Sequence, residues 1–229
     1  MIISGLQKLT LLDYPGKVAC TVFTHGCNFK CPFCHNASLV TQAAENTISE
    51  DEFFTFLQKR KGILEGVCIT GGEPTLQKDL PEFMKKIKQM GYSVKLDTNG
   101  YNPEVLQSIL TEDLADYIAM DIKNSAESYQ LTAGKENLDI NKIRKSIELI
   151  KNSGKDYEFR TTVVYPYHTP ESLLGCAEMI GKDSKYFLQQ FKDSGELIDP
   201  ECQGYNDTTV KGFTEQLRKL GYNVTLRGV

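Results

Sequence analysis

An α/β fold of six consecutive βα units is predicted by the alternation of short apolar or β-branched runs with amphipathic stretches along most of the chain. Two further observations support it. Glycines stand just after helical runs, and polar motifs recur just after the apolar ones. In chain order, strands are expected at 18–24 (VACTVFT), 67–70 (VCIT), 93–97 (SVKLD), 117–121 (YIAMD), 159–164 (FRTTVV) and 186–191 (YFLQQF). Helical patterning lies between and after them at 49–60, 80–90, 103–110, 140–151, 171–180 and 209–220. Gly91, Gly154 and Gly221 follow three of these helices and are read as C-terminal caps rather than functional glycines. Right-handed crossovers would curl six units into an open barrel sector or spread them as a doubly wound sheet, and periodicity alone does not choose. In either case ligands belong at the carboxyl ends of the strands. The motifs at 26–36, 71–74, 97–100 and 121–123 all fall there.

With 229 residues, 40% hydrophobic and 24% charged, the chain can bury a sizeable core, and it is read as one domain. Residues 1–16 form an N-terminal extension and 17–229 the repeats. The composition excludes disordered and collagen-like classes. A formal charge of -4 with dispersed Lys and Arg offers no basic block for nucleic acid or an anionic membrane. Neither a signal-like start nor a membrane-length apolar window is visible, so a cytoplasmic location with protein or small-molecule partners is expected.

Three of the seven cysteines, Cys27, Cys31 and Cys34, fall within eight positions, which suits a metal or redox site better than a disulfide framework. Thiolates at this spacing favour a soft metal or an iron–sulfur cluster. Zinc is the rival, with His25 or His35 as a fourth ligand, although His35 adjoins Cys34 and both would have to bend onto one ion. A cluster held by three thiolates leaves one iron open to a small molecule. Cys20, Cys68, Cys176 and Cys202 are isolated and read as small buried residues.

The loop CNFKCPFC, with Phe33 as its aromatic, resembles the Cys-x3-Cys-x-aromatic-Cys loop of radical S-adenosylmethionine (SAM) enzymes. The wider stretch DYPGKVACTVFTHGCNFKCPFCHN resembles the signature of activating enzymes for glycyl radical enzymes, including the Cys-His-Asn ending at His35. The resemblance implies an open partial (β/α)6 barrel of the radical SAM type. It also implies one [4Fe-4S] cluster on Cys27, Cys31 and Cys34, with SAM chelating the open iron. Reductive cleavage of SAM would then yield methionine and a 5′-deoxyadenosyl radical, the cofactors carrying the hard chemistry and no protein side chain acting as catalyst.

Downstream motifs take meaning from the same resemblance. Gly71, Gly72 and Glu73 of TGGEP, by themselves a plain strand-to-helix turn, are expected at the methionyl end of SAM, with Gly72 leaving room for that group. Asp121 and Lys123 of AMDIK stand two apart on one strand face and are expected near the ribose. Asp97 and Thr98 of LDTNG, readable as a structural turn, resemble a cation-binding pair. Arg160, otherwise a surface charge, is expected at the SAM carboxylate, and His168 at adenine or ribose unless it is an exposed loop residue. Phe33, Cys34 and His35 complete the cofactor contacts.

No cysteine occurs between His35 and Val67, so a single cluster is expected, as in the compact activases. The wording LLDYPG resembles the type acting on anaerobic ribonucleoside-triphosphate reductase, with pyruvate formate-lyase activation as a close alternative. The implied partners are that glycyl radical enzyme and a flavodoxin or ferredoxin as electron donor. A deazapurine-synthase-like enzyme and a zinc-binding interaction module are the readings from other classes.

Overall fold

In a computed structural model, residues 1–193 and 195–228 are described. The chain runs β1 (Ile3–Thr10), β2 (Ala19–Thr24), α1 (Ala37–Thr41), α2 (Glu50–Lys59), β3 (Gly66–Gly71), α3 (Leu80–Gln89), β4 (Ser93–Thr98), α4 (Pro103–Thr111) and β5 (Tyr117–Asp121). It continues through α5 (Tyr129–Ala133), α6 (Ile140–Lys151), β6 (Asp156–Tyr165), α7 (Pro170–Ile180), β7 (Tyr186–Gln190), β8 (Gln203–Gly204), α8 (Asp207–Lys219) and β9 (Val224–Arg227). Helix starts follow from local chemistry. Ser49 and Glu52 close a capping box on α2, and Pro103 and Pro170 occupy first-turn positions of α4 and α7, where no intrahelical N–H is needed. Gly91, Gly154 and Gly221 stand past α3, α6 and α8 with positive φ.

The sheet follows the order β1-β2-β3-β4-β5-β6-β7-β9, with the short β8 pairing β6. β2 to β7 are parallel, in sequence order, and are the six predicted strands. β1 and β9 end the path without pairing each other among the described residues, which makes the sheet an open partial (β/α)6 barrel rather than a closed one. Three strands were not foreseen. β1 (ISGLQKLT) lacks clean alternation and leaves Gln7, Lys8 and Leu9 exposed, while β8 and β9 are two and four residues long. No helix among the described residues is long and apolar enough to cross a membrane.

Period-two alternation sorts each strand into an apolar outer face and a polar inner face. Cys20, Val22, Val67, Ile69, Val94, Leu96, Ile118, Met120, Phe159 and Val163 are buried outward in the core that joins sheet to helices. Each such aliphatic side chain contributes about 1.5–3 kcal/mol when fully buried. The inner positions are different: Lys95 and Asp97 on β4, Tyr117 and Asp121 on β5, Glu158 and Arg160 on β6. Parallel register sets Asp121 beside Arg160. At the base of this interior Glu158, 1% exposed, accepts both guanidinium nitrogens of Arg227 at 2.9 and 2.7 Å and the Tyr117 hydroxyl at 2.9 Å. The Arg227 guanidinium also lies 3.5 Å from the centre of the Phe187 ring. This side chain adds to the pairing of β9 with β7 and ties the short strand to the barrel interior.

Arg227→Ala leaves the Glu158 carboxylate buried without its bidentate partner and should destabilise the fold by about 3 kcal/mol. Urea unfolding is expected to show a lower midpoint with an unchanged slope, and Arg227→Lys to restore only part of it, because a lysine cannot make the paired contact. A wild-type midpoint for Arg227→Ala would show that β9 is held by other contacts.

Candidate functional site

A cavity of about 780 Å³, counting its open mouth, lies at the carboxyl ends of the parallel strands. Cys27, Cys31, Phe33, Cys34, His35, Gly71, Gly72, Glu73, Asp97, Thr98, Asp121, Lys123 and Arg160 all line it. Of the residues expected at a site, His168 alone is not among them.

The cysteine loop leaves β2 at Thr24 and is fastened by main-chain bonds at several points. Gly26 N–H donates to Leu39 O at 2.9 Å, Lys30 N–H to Ala133 O at 2.9 Å and Cys34 N–H to Cys31 O at 3.0 Å. Cys31 is buried and Cys27 and Cys34 are half-buried; the Phe29 N–H points at Cys27 Sγ, 3.4 Å away. Burial pushes the Cys27 thiol up to about 12 and the Cys31 thiol to about 11. A metal centre would have to displace those protons. Cys20, Cys68, Cys176 and Cys202 are buried elsewhere. His25 is occupied outside the cavity, with Nδ1 3.1 Å from Ser4 Oγ and Nε2 3.0 Å from Gln42 O. Among the described residues no three His, Cys, Asp or Glu side chains are gathered as ligands of one ion would be. The three thiols instead stand around one cavity, a donor set and spacing that fit a soft, multi-atom centre better than zinc.

The two glycines after β3 answer to a different neighbour from the one expected. A Cβ on Gly72 would lie 2.0 Å from Gly26 O, and one on Gly71, whose φ is +119°, 2.2 Å from Thr24 N. The space their missing side chains leave is filled by the backbone of the cysteine loop, which bonds through Gly72 N–H to Thr24 O at 2.9 Å and Glu73 N–H to Gly26 O at 2.8 Å. A side chain at Gly72 therefore disturbs the cysteine loop, not only a bound ligand. Glu73 is 1% exposed, and its carboxylate accepts from Thr75 N, Thr75 Oγ1, Thr98 Oγ1 (2.8 Å) and Asn99 N (2.7 Å). Burial raises its pKa against the pull of those donors.

Below the cavity the inner-face charges form one network. Arg160 reaches Asp121 Oδ1 at 2.9 Å and Asp97 Oδ2 at 3.4 Å, Lys123 meets Asp121 Oδ2 at 3.0 Å, and Lys95 pairs with Asp97. Burial works to raise the pKa of Asp97 and Asp121, but Arg160 and the lysines outweigh it and hold both well ionised. His168 is fully buried behind this layer, beside the Phe33 ring at 5.9 Å between centroids. Val164 N–H donates to its Nδ1 at 3.1 Å, which leaves the Nε2 proton to the Lys123 carbonyl at 2.8 Å. Burial lowers its pKa, so the ring is neutral and fixes the main chain at Lys123 instead of facing the cavity.

Sequence reasoning passed over Lys95, Asn99 and Asn36. Lys95 stands two before Asp97, the same spacing that singled out Asp121 and Lys123, so the signal was present. Asn99 donates to Asn28 Oδ1 at 2.7 Å and Asn36 to Gly71 O at 3.3 Å, contacts between distant segments that no local pattern announces.

Residues 21–180 match the model of the Radical SAM superfamily. The chain belongs to the radical SAM superfamily. One relative, from Methanocaldococcus jannaschii and named for glycyl-radical enzyme activation, is 35% identical over 197 residues, 83% of this chain and 80% of that protein. The pyruvate formate-lyase-activating enzyme of Clostridium pasteurianum is 29% identical over 154 residues, 65% of this chain and 63% of its own. A radical SAM methyltransferase from Sphaerobacter thermophilus shares the fold with a TM-score of 0.74 at 12% identity, over 96% of this chain and 68% of that one. Radical SAM membership brings a [4Fe-4S] cluster and SAM as cofactors, and the open ring of thiols at the cavity rim is compatible with both.

Cys27→Ser, Cys31→Ser and Cys34→Ser should each abolish the visible absorbance of the reconstituted radical SAM protein, whereas Cys20→Ser, Cys68→Ser and Cys202→Ser should keep it. Equal iron loss in both groups would refute the ligand set. Gly72→Val should lower the iron and sulfide retained after reconstitution and destabilise the protein by roughly 1–3 kcal/mol, the overpacking range. Full reconstitution with only SAM affinity reduced would mean that the side chain meets ligand rather than loop.

Proposed function

We propose that this radical SAM protein is an activase that installs a glycyl radical on a partner enzyme, anaerobic ribonucleoside-triphosphate reductase. The observation that carries the reading is the activase-like stretch 11–36, from LLDYPG through the cysteine loop, in a chain without a second cysteine cluster. The M. jannaschii relative, named for glycyl-radical enzyme activation, supports the activase part of this reading over most of the chain's length.

Cys27, Cys31 and Cys34, which line the cavity together, would hold the cluster. When bound, cluster and SAM supply reductive carbon–sulfur cleavage and a hydrogen-abstracting radical. This chain's residues bind and orient. The Gly71–Gly72–Glu73 turn lies beside the cysteine loop at the methionyl end, Arg160 serves the SAM carboxylate, and Asp121 with Lys123 serves the ribose. His168 acts at one remove by fixing the Lys123 main chain, and Phe33 packs the loop against it. The open mouth of the cavity, at the carboxyl ends of the parallel strands, gives a flexible glycine loop of the partner a way in. No general base is needed, since abstraction from the glycine Cα moves a hydrogen atom. A flavodoxin or ferredoxin supplies the electron.

Mixed anaerobically with SAM, a reductant and the reductase, the protein should generate a doublet glycyl radical signal on the partner, with about one SAM consumed per radical. Deuterium placed on the partner's glycine should appear in 5′-deoxyadenosine. Pyruvate formate-lyase in place of the reductase separates the two activase readings. Deuterium arriving from a free nucleotide, with no radical on any protein, would replace both with a small-molecule reaction.

A further inference from the structure

The charge network below the cavity gives Lys95 a part that the family likeness does not foresee. Asp97 and Thr98 resemble a cation-binding pair, yet their side chains do not converge on a common point. They are successive residues of β4 and leave opposite faces. The Thr98 hydroxyl donates to Glu73 Oε1 at 2.8 Å and accepts from Gly100 N–H at 3.0 Å. Asp97 faces inward, where one oxygen is met by Lys95 Nζ and the other by Arg160 Nη1 at 3.4 Å. Both oxygens of Asp121 are likewise engaged, by Arg160 and Lys123.

Lys95 cannot easily leave. Its side chain is 1% exposed, and its other neighbours are Cys68 Sγ at 3.7 Å and the Tyr117 ring at 5.9 Å, neither of which carries a compensating negative charge. A buried ammonium needs a carboxylate, and among the described residues Asp97 is the one at ion-pair distance. The charges nearest Asp97 point the same way. Lys95 and Arg160 already bring two cationic groups to its carboxylate, so a further cation there would meet local repulsion.

We propose that the ammonium of Lys95, with the guanidinium of Arg160, takes the place of a metal cation at Asp97, so that this site is indifferent to sodium and potassium. The inference draws on the SAM-site reading for its meaning in turnover, but its test does not involve SAM cleavage or a partner.

The measurement is thermal unfolding of the full chain, with and without its cluster, in sodium, potassium or choline chloride at equal ionic strength, joined by sodium-23 line widths. Wild type should show one midpoint in all three salts and no more line broadening than Asp97→Asn. Lys95→Met should open the position. Its midpoint should rise saturably with sodium or potassium but not choline, as binding to the folded state requires, and Lys95→Met/Asp97→Asn should abolish the rise. Saturable sodium or potassium binding by wild type, lost in Asp97→Asn, overturns the proposal, and so does a folded Lys95→Met that takes up neither ion. Should Lys95→Met fail to fold, the wild-type comparison decides alone. Failure here leaves the activase reading standing, and an inactive activase assay leaves this result untouched.

Discussion

Two backbone carbonyls where the cysteine loop begins, that of Thr24 at the end of β2 and that of Gly26, accept the N–H groups of Gly72 and Glu73, and much of the site's order descends from that contact. It demands glycine at positions 71 and 72, since a Cβ at either would enter the main chain at Thr24 or Gly26. It also positions the Glu73 carboxylate to collect the Thr98 hydroxyl and the Asn99 N–H, which binds the end of β4 to the end of β3. Asn99 in turn donates to Asn28, next to Cys27, and closes a circuit through three segments far apart in sequence. A fully buried carboxylate with several donors rigidifies what it joins, because releasing any one donor leaves a polar group without a partner. The thiols are thus presented by a loop whose shape is decided by the neighbouring turns.

Beneath that circuit the barrel is filled with ion pairs instead of the layered aliphatic side chains common in closed barrels. Buried pairs add little net stability over well-packed apolar groups, so their presence is better explained by what they prepare. Arg160 spans Asp97 and Asp121, which belong to adjacent strands, and its position is set from both sides. Fixed dipoles and charges of this kind need little rearrangement when a charged ligand arrives.

The outward half of the fold was legible in the sequence. β2 to β7 are short apolar or β-branched runs with one mostly apolar face, and that pattern survives any uncertainty about neighbours. β1 and β9 were hidden for physical reasons. Gly5, Gln7 and Lys8 dilute the first, and four residues are too few to show a period in the second. Individual site residues were visible where a motif marked them, as for Cys27, Glu73 and Lys123. Their pairings were not, because cross-strand partners depend on register, and a slip of one residue would turn Arg160 from the interior to the helices. His168 illustrates the same limit: its ring packs against Phe33 and its carbonyl accepts the Tyr205 hydroxyl, both distant in the chain.

An unclosed barrel leaves two strand edges, β1 and β9, with unsatisfied main-chain groups, and exposed edges are templates for pairing between molecules. β1 answers this hazard through irregularity. Its pairing with β2 shifts register between Ile3 and Gly5 and again between Gln7 and Thr10, and it carries the exposed Lys8 near its end. Bulges of this sort add local twist, and a twisted edge with a charge on it is a poor surface for a second copy to extend. β9 is limited to four residues, too short to nucleate a ladder, and its arginine is turned inward onto Glu158. Protection against edge-to-edge aggregation is therefore written into the same two strands that leave the barrel unclosed.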